Sequence, residues 1–192
     1  MMKAYDRVEW HYLAVIMSKM GFSASFVRLI MKCVSLVRFS VRVNGELLPY
    51  FTPSRGLRQG CLVSPYLFLL CAEGFTTLLN SYGGAHVDRG IRVSIHSPWI
   101  NHLLFADDSL IFMQAREESA ARRNDILRVY GLCSGRCVNR DKSSILFSPN
   151  TPKPVRASLK EVLGIFVEAF NERYLGLPTA IGKITSGSFN FI

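Results

Sequence analysis

No stretch of this sequence reaches the roughly 18 uninterrupted apolar residues that a membrane-crossing helix requires, so it reads as a water-soluble domain. Its eight prolines and 14 glycines are scattered, which excludes a flexible linker or a low-complexity tract. There is no CxxC pair among Cys33, Cys61, Cys71, Cys133 and Cys137, and no signal peptide precedes them, so the thiols read as reduced and intracellular. His11, His86, His96 and His102 show no HExxH or other ligand spacing, and no histidine stands near Cys133 and Cys137, so a zinc centre is not indicated. Acid is scarce as well. Against 14 Asp and Glu stand 23 Lys and Arg, a net charge of +9, which favours an anionic partner such as nucleic acid.

What is present is enough apolar side chain for one ordinary domain: 49% of 192 residues are hydrophobic and 19% charged. Trp10, Leu13, Met17 and Met20 recur at three and four residues, predicting an amphipathic helix stopped by Gly21. Phe26, Leu29, Ile30, Cys33 and Val34 predict a second, with Ser23 or Ser25 as its N-cap. The period then drops to two through Phe39, Val41 and Val43, and Asn44-Gly45 turns the chain back through Leu47 and Leu48 as a hairpin. Ser64-Pro65 opens a third helix to about Leu79, apolar on more than one side and therefore expected to be buried. Short strands are expected at 91–93, 100–105, 110–113 and 144–147, and helices at about 117–130 and 155–163. Helices alternating with hairpins make the class α+β.

Two segments carry chemistry. Asp107 and Asp108 sit in a turn between apolar strands, where adjacent carboxylates repel unless water or a cation offsets them; beside a third acid they could hold two Mg²⁺ ions. The alternative is a solvated turn. The loop Arg55-Gly56-Leu57-Arg58-Gln59-Gly60 could offer guanidinium and backbone N–H groups to phosphates, or be an ordinary connector; it lacks the Lys-Ser/Thr ending of a nucleotide-hydrolysing P-loop. Arg136, Arg140 and Lys142 are candidates for a basic patch near the acidic turn, and Asp6 and Glu9 read as surface charge at the start of the first helix.

Taken in order, Met2-Lys3-Ala4-Tyr5-Asp6-Arg7-Val8-Glu9-Trp10, Arg55 to Gly60 followed by Ser64-Pro65-Tyr66-Leu67-Phe68, Phe105-Ala106-Asp107-Asp108, Ser134-Gly135 with Asn139 and Lys142-Ser143, and Tyr174-Leu175-Gly176-Leu177-Pro178 strongly resemble the reverse transcriptase domain of non-LTR (LINE-type) retrotransposons, especially those of plants. The resemblance runs from residue 1 to about 182, leaving 183–192 as a tail. It implies the palm of a right-hand polymerase with part of the fingers, in an antiparallel sheet with packed helices. The reaction implied is RNA-directed DNA synthesis, adding deoxynucleotides (dNTP) to a DNA primer on an RNA template with Mg²⁺ or Mn²⁺. By the same resemblance Asp107 is the main metal ligand, Asp108 the further catalytic acid and Lys142 the proton donor to the leaving pyrophosphate. Tyr5 stacks under the incoming sugar and excludes a 2′-hydroxyl. Gln59 and Gly60, with Arg55 and Arg58 beside them, contact nucleotide and template, and Tyr174, Leu175 and Gly176 form the primer grip. Such an enzyme works in nucleus and cytoplasm.

Two departures shape the expectation. The family's metal-bridging aspartate stands five residues before the aromatic residue, so it would immediately precede Met1. Cys61-Leu62-Val63 replaces the family's usual Asp-Pro-Leu. With N-terminal fingers and C-terminal thumb also missing, the 192 residues read as a fragment, expected to be inactive or nearly so alone. The alternatives are a nucleic-acid-binding remnant without catalysis and an unstable pseudogene product with exposed apolar surface.

Overall fold

The computed structural model describes residues 3–81 and 89–168, together with the backbone of 173–174 and 177–178. Among these residues the elements run α1 (Trp10–Lys19), α2 (Ala24–Ser35), β1 (Arg42–Val43), β2 (Glu46–Leu47), α3 (Ser64–Ser81), β3 (His102–Phe105), β4 (Asp108–Ile111), α4 (Glu117–Ser134), α5 (Lys153–Leu163), β5 (Arg173–Tyr174) and β6 (Leu177–Pro178). The six strands form three separate antiparallel hairpins, so helices, not a continuous sheet, carry the packing.

The expected stripe of α1 is buried at Leu13 and Met17, while Met20 emerges near the end, where Gly21 at φ +88° takes the left-handed conformation that stops the helix. Ser23, not Ser25, caps α2: its Oγ accepts the Phe26 N–H at 3.3 Å. Only one edge of the α2 stripe is covered. Val27 is buried with Ile30 and Val34 beside it, whereas Phe26, Leu29 and Cys33 face outward.

Helix α3 is the spine. Leu67, Phe68 and Cys71 pack into a cluster with Ala4, Val8, Leu13, Met17, Val27 and Leu57. Phe75 and Leu79 form a second cluster with Ile126 and Tyr130 of α4. All-round burial of α3 is not what the fold gives, because Tyr66 and Leu69 on its other face are exposed. Ser64 is the helix's first residue, itself buried, and the Leu67 N–H bonds back to the Val63 carbonyl.

α4 continues four residues past its expected end, to Ser134, and closes on Gly135 at φ +74°. Its Ala120 joins Leu159 and Leu163 of α5 in a third cluster. The strand expected at 144–147 is reduced to one parallel bridge, Ile145 to Glu168. Ile145 and Phe147 pack on the α4–α5 cluster. The strand expected near 91 is likewise a single bridge, Ile91 to Ile100. Gly83, Gly84, His86 and the 183–192 tail lie outside the described residues.

Candidate functional site

The N-terminal segment and the glycine-punctuated loop, some fifty residues apart in sequence, are bonded backbone to backbone. The Gly56 N–H donates to the Val8 carbonyl at 2.8 Å and the Leu57 N–H to the Tyr5 carbonyl at 2.9 Å, while the Trp10 indole Nε1–H donates to the Gly56 carbonyl at 2.7 Å. Gly56 is required here: its φ is +93°, and a Cβ would stand 2.8 Å from the Asp6 carbonyl oxygen. Gln59 Nε2 donates to Asp6 Oδ1 at 3.3 Å and Arg55 pairs with Glu9 at 3.2 Å. Two readings of the sequence are thereby corrected. The N–H groups of residues 56 and 57 hold the chain's own carbonyls and are not offered to phosphates. Asp6 and Glu9 are tethers of this junction, not merely solvated charge.

This docking builds one side of a cavity of about 730 Å³, whose wall includes Tyr5, Gln59, Gly60, Cys61, Tyr66 and Asp107. Three distant segments therefore meet: the start of the chain, the loop entering α3, and the acidic hairpin. In that hairpin Phe105 pairs with Asp108, leaving Ala106-Asp107 as a two-residue turn. Ala106 has φ +49°, a conformation that costs a non-glycine residue about 1 kcal/mol. Both carboxylates are exposed, Asp107 on the cavity wall and Asp108 at the start of β4.

Of the other expected site residues, Arg55, Arg58, Asp108 and Lys142 are not part of the cavity wall. Lys142 is exposed at the end of the 3-10 turn Arg140–Lys142, where the Asn139 side chain accepts its backbone N–H. The basic patch proposed for Arg136, Arg140 and Lys142 does not form as one surface. Arg136 is only 4% exposed, its Nη1 donating to Tyr130 Oη at 2.8 Å, and Arg140 donates to Asn124 Oδ1 at 3.1 Å. Tyr174 pairs with Leu177 through the backbone, as a hairpin requires; Leu175 and Gly176 lie outside the described residues.

Sequence reasoning passed over Cys61 and Tyr66 as wall residues. The signal was their place between the glycine loop and the Ser64-Pro65 helix start. Hydrogen bonds from the Val63 backbone, then from Ser64, hold the Cys61 thiol below the usual thiol range. Cys71, buried in α3, is pushed up to about 12 by loss of hydration. Burial likewise raises the Tyr12 and Tyr130 hydroxyls above the ordinary phenol.

Exposed carboxylate oxygens on adjacent residues are the hard donors that Mg²⁺ accepts, so the acidic turn fits part of a divalent site. No group of three or more His, Cys, Asp or Glu comes together among the described residues. No described helix is long and apolar enough to cross a membrane.

The reverse transcriptase (RNA-dependent DNA polymerase) family matches residues 1–179, and the chain belongs to that family. An uncharacterized mitochondrial protein of Arabidopsis thaliana is 54% identical over 67 residues, 35% of this chain and 55% of its own length. An uncharacterized 149 kDa protein of transposon TX1 from Xenopus laevis is 28% identical over 144 residues, 74% of this chain and 10% of that protein. The chain thus spans about half of one relative and a tenth of the other.

Proposed function

We propose that the 730 Å³ cavity is the nucleotide pocket of a non-LTR retrotransposon reverse transcriptase, an RNA-directed DNA polymerase domain in which residues 1–182 are palm and part of the fingers. The observation that carries this reading is the meeting of Tyr5, Gln59, Gly60 and Asp107 around one cavity, from three segments that the sequence keeps apart. Retrotransposon origin is supported by family membership together with the transposon relative.

In this reading Tyr5 lies under the incoming sugar, Gln59 and Gly60 face nucleotide and template, and the +9 charge supports hold of the template–primer phosphates. Asp107 and Asp108 would hold Mg²⁺ or Mn²⁺, which when bound would draw down the charge that develops on the transferred phosphoryl group. Lys142 and the 174–176 hairpin belong to the same reading as proton donor and primer grip. Among the described residues no third acidic side chain joins Asp107 and Asp108, so we further propose that the 192 residues alone polymerise weakly or not at all.

Primer extension on an RNA template with Mg²⁺ or Mn²⁺ tests this, comparing the chain, its Asp107→Ala variant, and a longer chain with an aspartate five residues ahead of Tyr5. Extension by the longer chain that disappears with Asp107→Ala supports the reading. Nucleic-acid binding that weakens steeply with salt, without extension from any of the three, would replace it with a non-catalytic binding remnant.

A further inference from the structure

Behind Tyr5 on the cavity wall lie three side chains, Phe68, Arg136 and Tyr130, to which the proposed function gives no role. Tyr5 lies flat on Phe68, ring centroids 4.6 Å apart and planes 6° from parallel. The Arg136 guanidinium carbon is 4.3 Å from the Phe68 centroid and 5.6 Å from that of Tyr130. A parallel ring at that distance fills one face of Phe68, which leaves the guanidinium the opposite face. Arg136 Nη1 donates to Tyr130 Oη, and the Tyr130 hydroxyl in turn donates to the Cys71 carbonyl at 3.2 Å, tying the stack to the middle of α3.

The chain approaches this guanidinium through a fixed path. Gly135 takes φ +74°, Arg7 Nε donates to its carbonyl at 3.0 Å, and the Glu9 N–H donates to the Ser134 carbonyl at 3.0 Å. The Arg136 backbone N–H bonds to Ser134 Oγ at 3.2 Å. No described ion pair involves Arg136, and its Nε is buried without a partner. A leucine or methionine would fill the volume without an orphaned donor. What the guanidinium adds is a flat, charged plate against one face of Phe68.

We infer that Arg136 is a positioning residue: it clamps Phe68 from behind and, through Phe68, sets the Tyr5 ring against the cavity. The clamp itself stands on the stack, and only its consequence for nucleotide choice rests on reading the cavity as the nucleotide pocket. Tyr5 also accepts the Leu57 N–H through its carbonyl, so loosening its ring loosens the junction that carries Gln59 and Gly60.

Arg136→Met and Arg136→Lys in the 192-residue chain test the clamp by amide hydrogen exchange and by equilibrium dialysis against dGTP and GTP. In Arg136→Met, exchange at Gly56 and Leu57 rises about tenfold while α5 amides keep their protection, and the dGTP-to-GTP binding ratio falls severalfold, magnitudes in keeping with loss of one desolvated cation–π contact. Arg136→Lys, which keeps a cation but not the plate, gives an intermediate result and carries the test should the methionine variant not fold. Unchanged exchange at residues 56 and 57, or a rise spread evenly over the whole chain, overturns the clamp. Selective loosening with an unchanged dGTP-to-GTP ratio upholds the clamp and overturns the pocket reading.

Discussion

Beneath the cavity, Phe68, Phe75 and Tyr130 are all but fully buried, and each is held by at least one ring or guanidinium neighbour. Across the cavity, the acidic hairpin places Phe105, Asp107 and Asp108 in solvent, anchored by Leu104 and Ile111, which pack on the Phe75–Tyr130 cluster. One side interlocks its side chains; the other is positioned by a two-residue turn, the apolar contacts of Leu104 and Ile111, and hydrogen bonds of Asn101 and His102 to α3. Apolar rings that only shape the cavity are desolvated at little electrostatic cost, which the buried Arg136 guanidinium beside them does not share, whereas carboxylates lose hydration energy if buried without a paired cation. The contrast therefore divides shape from charge.

Variants can break that division in order of expected effect. Phe75→Ala empties the centre of the α3–α4 contact and should lower stability by about 3–5 kcal/mol, read as a fall in denaturation midpoint. Asp107→Ala should shift that midpoint by no more than about 0.5 kcal/mol, since the side chain is exposed. In a chain that extends primers, the same substitution should cut the rate by about 10²–10³ or more, as loss of a preorganised electrostatic group does. A large stability loss from Asp107→Ala would erase the distinction between the two walls. Tyr130→Phe removes one hydroxyl from the buried side, taking from Arg136 Nη1 its acceptor while the Cys71 carbonyl keeps the Tyr12 hydroxyl, at about 1–3 kcal/mol.

The thiols sharpen the same comparison. Cys61, on the cavity-lining loop before α3, has its folded pKa lowered, so its thiolate accumulates at lower pH than that of an ordinary cysteine, and its alkylation rate should level off earlier as pH rises. Cys71, on the closed wall with a pKa of about 12, should stay unlabelled across the same range. Mass mapping after iodoacetamide pulses at stepped pH checks this; equal labelling of the two would contradict it. Smallest of all, Ala106→Gly should relieve the left-handed turn and stabilise by up to about 1 kcal/mol in thermal melts.

Much of this was legible from local pattern. The three- and four-residue spacing of Leu13 and Met17 places α1, Asn44-Gly45 places the first hairpin, and Asp107-Asp108 marks the charged turn. The docking of Gly56 and Leu57 on Tyr5 and Val8 was not legible, because backbone-to-backbone bonds across fifty residues leave no side-chain period behind. Arg136 was misread for a related reason. An arginine in a polar loop is usually solvated, and only the tertiary approach of Phe68 and Tyr130 gives its guanidinium two faces to lie against. The strand expected at 144–147 failed because periodicity reports which residues are apolar, not whether a neighbouring strand exists to pair with them.

The bonds from Arg7 and Glu9 to the carbonyls of Gly135 and Ser134 also bear on the order of assembly during synthesis. During synthesis residues 5–10 find partners at 56–57 early, but their remaining partners at 134–135 emerge only about 125 residues after Glu9, a loop closure whose entropy must be met before its contacts form. Until then Phe68 lacks the plate on one face and Tyr5 leans on a ring held from one side only. The cavity thus matures late in translation, and a nascent chain halted before residue 136 would carry Tyr5 and Gln59 without the backing that fixes them.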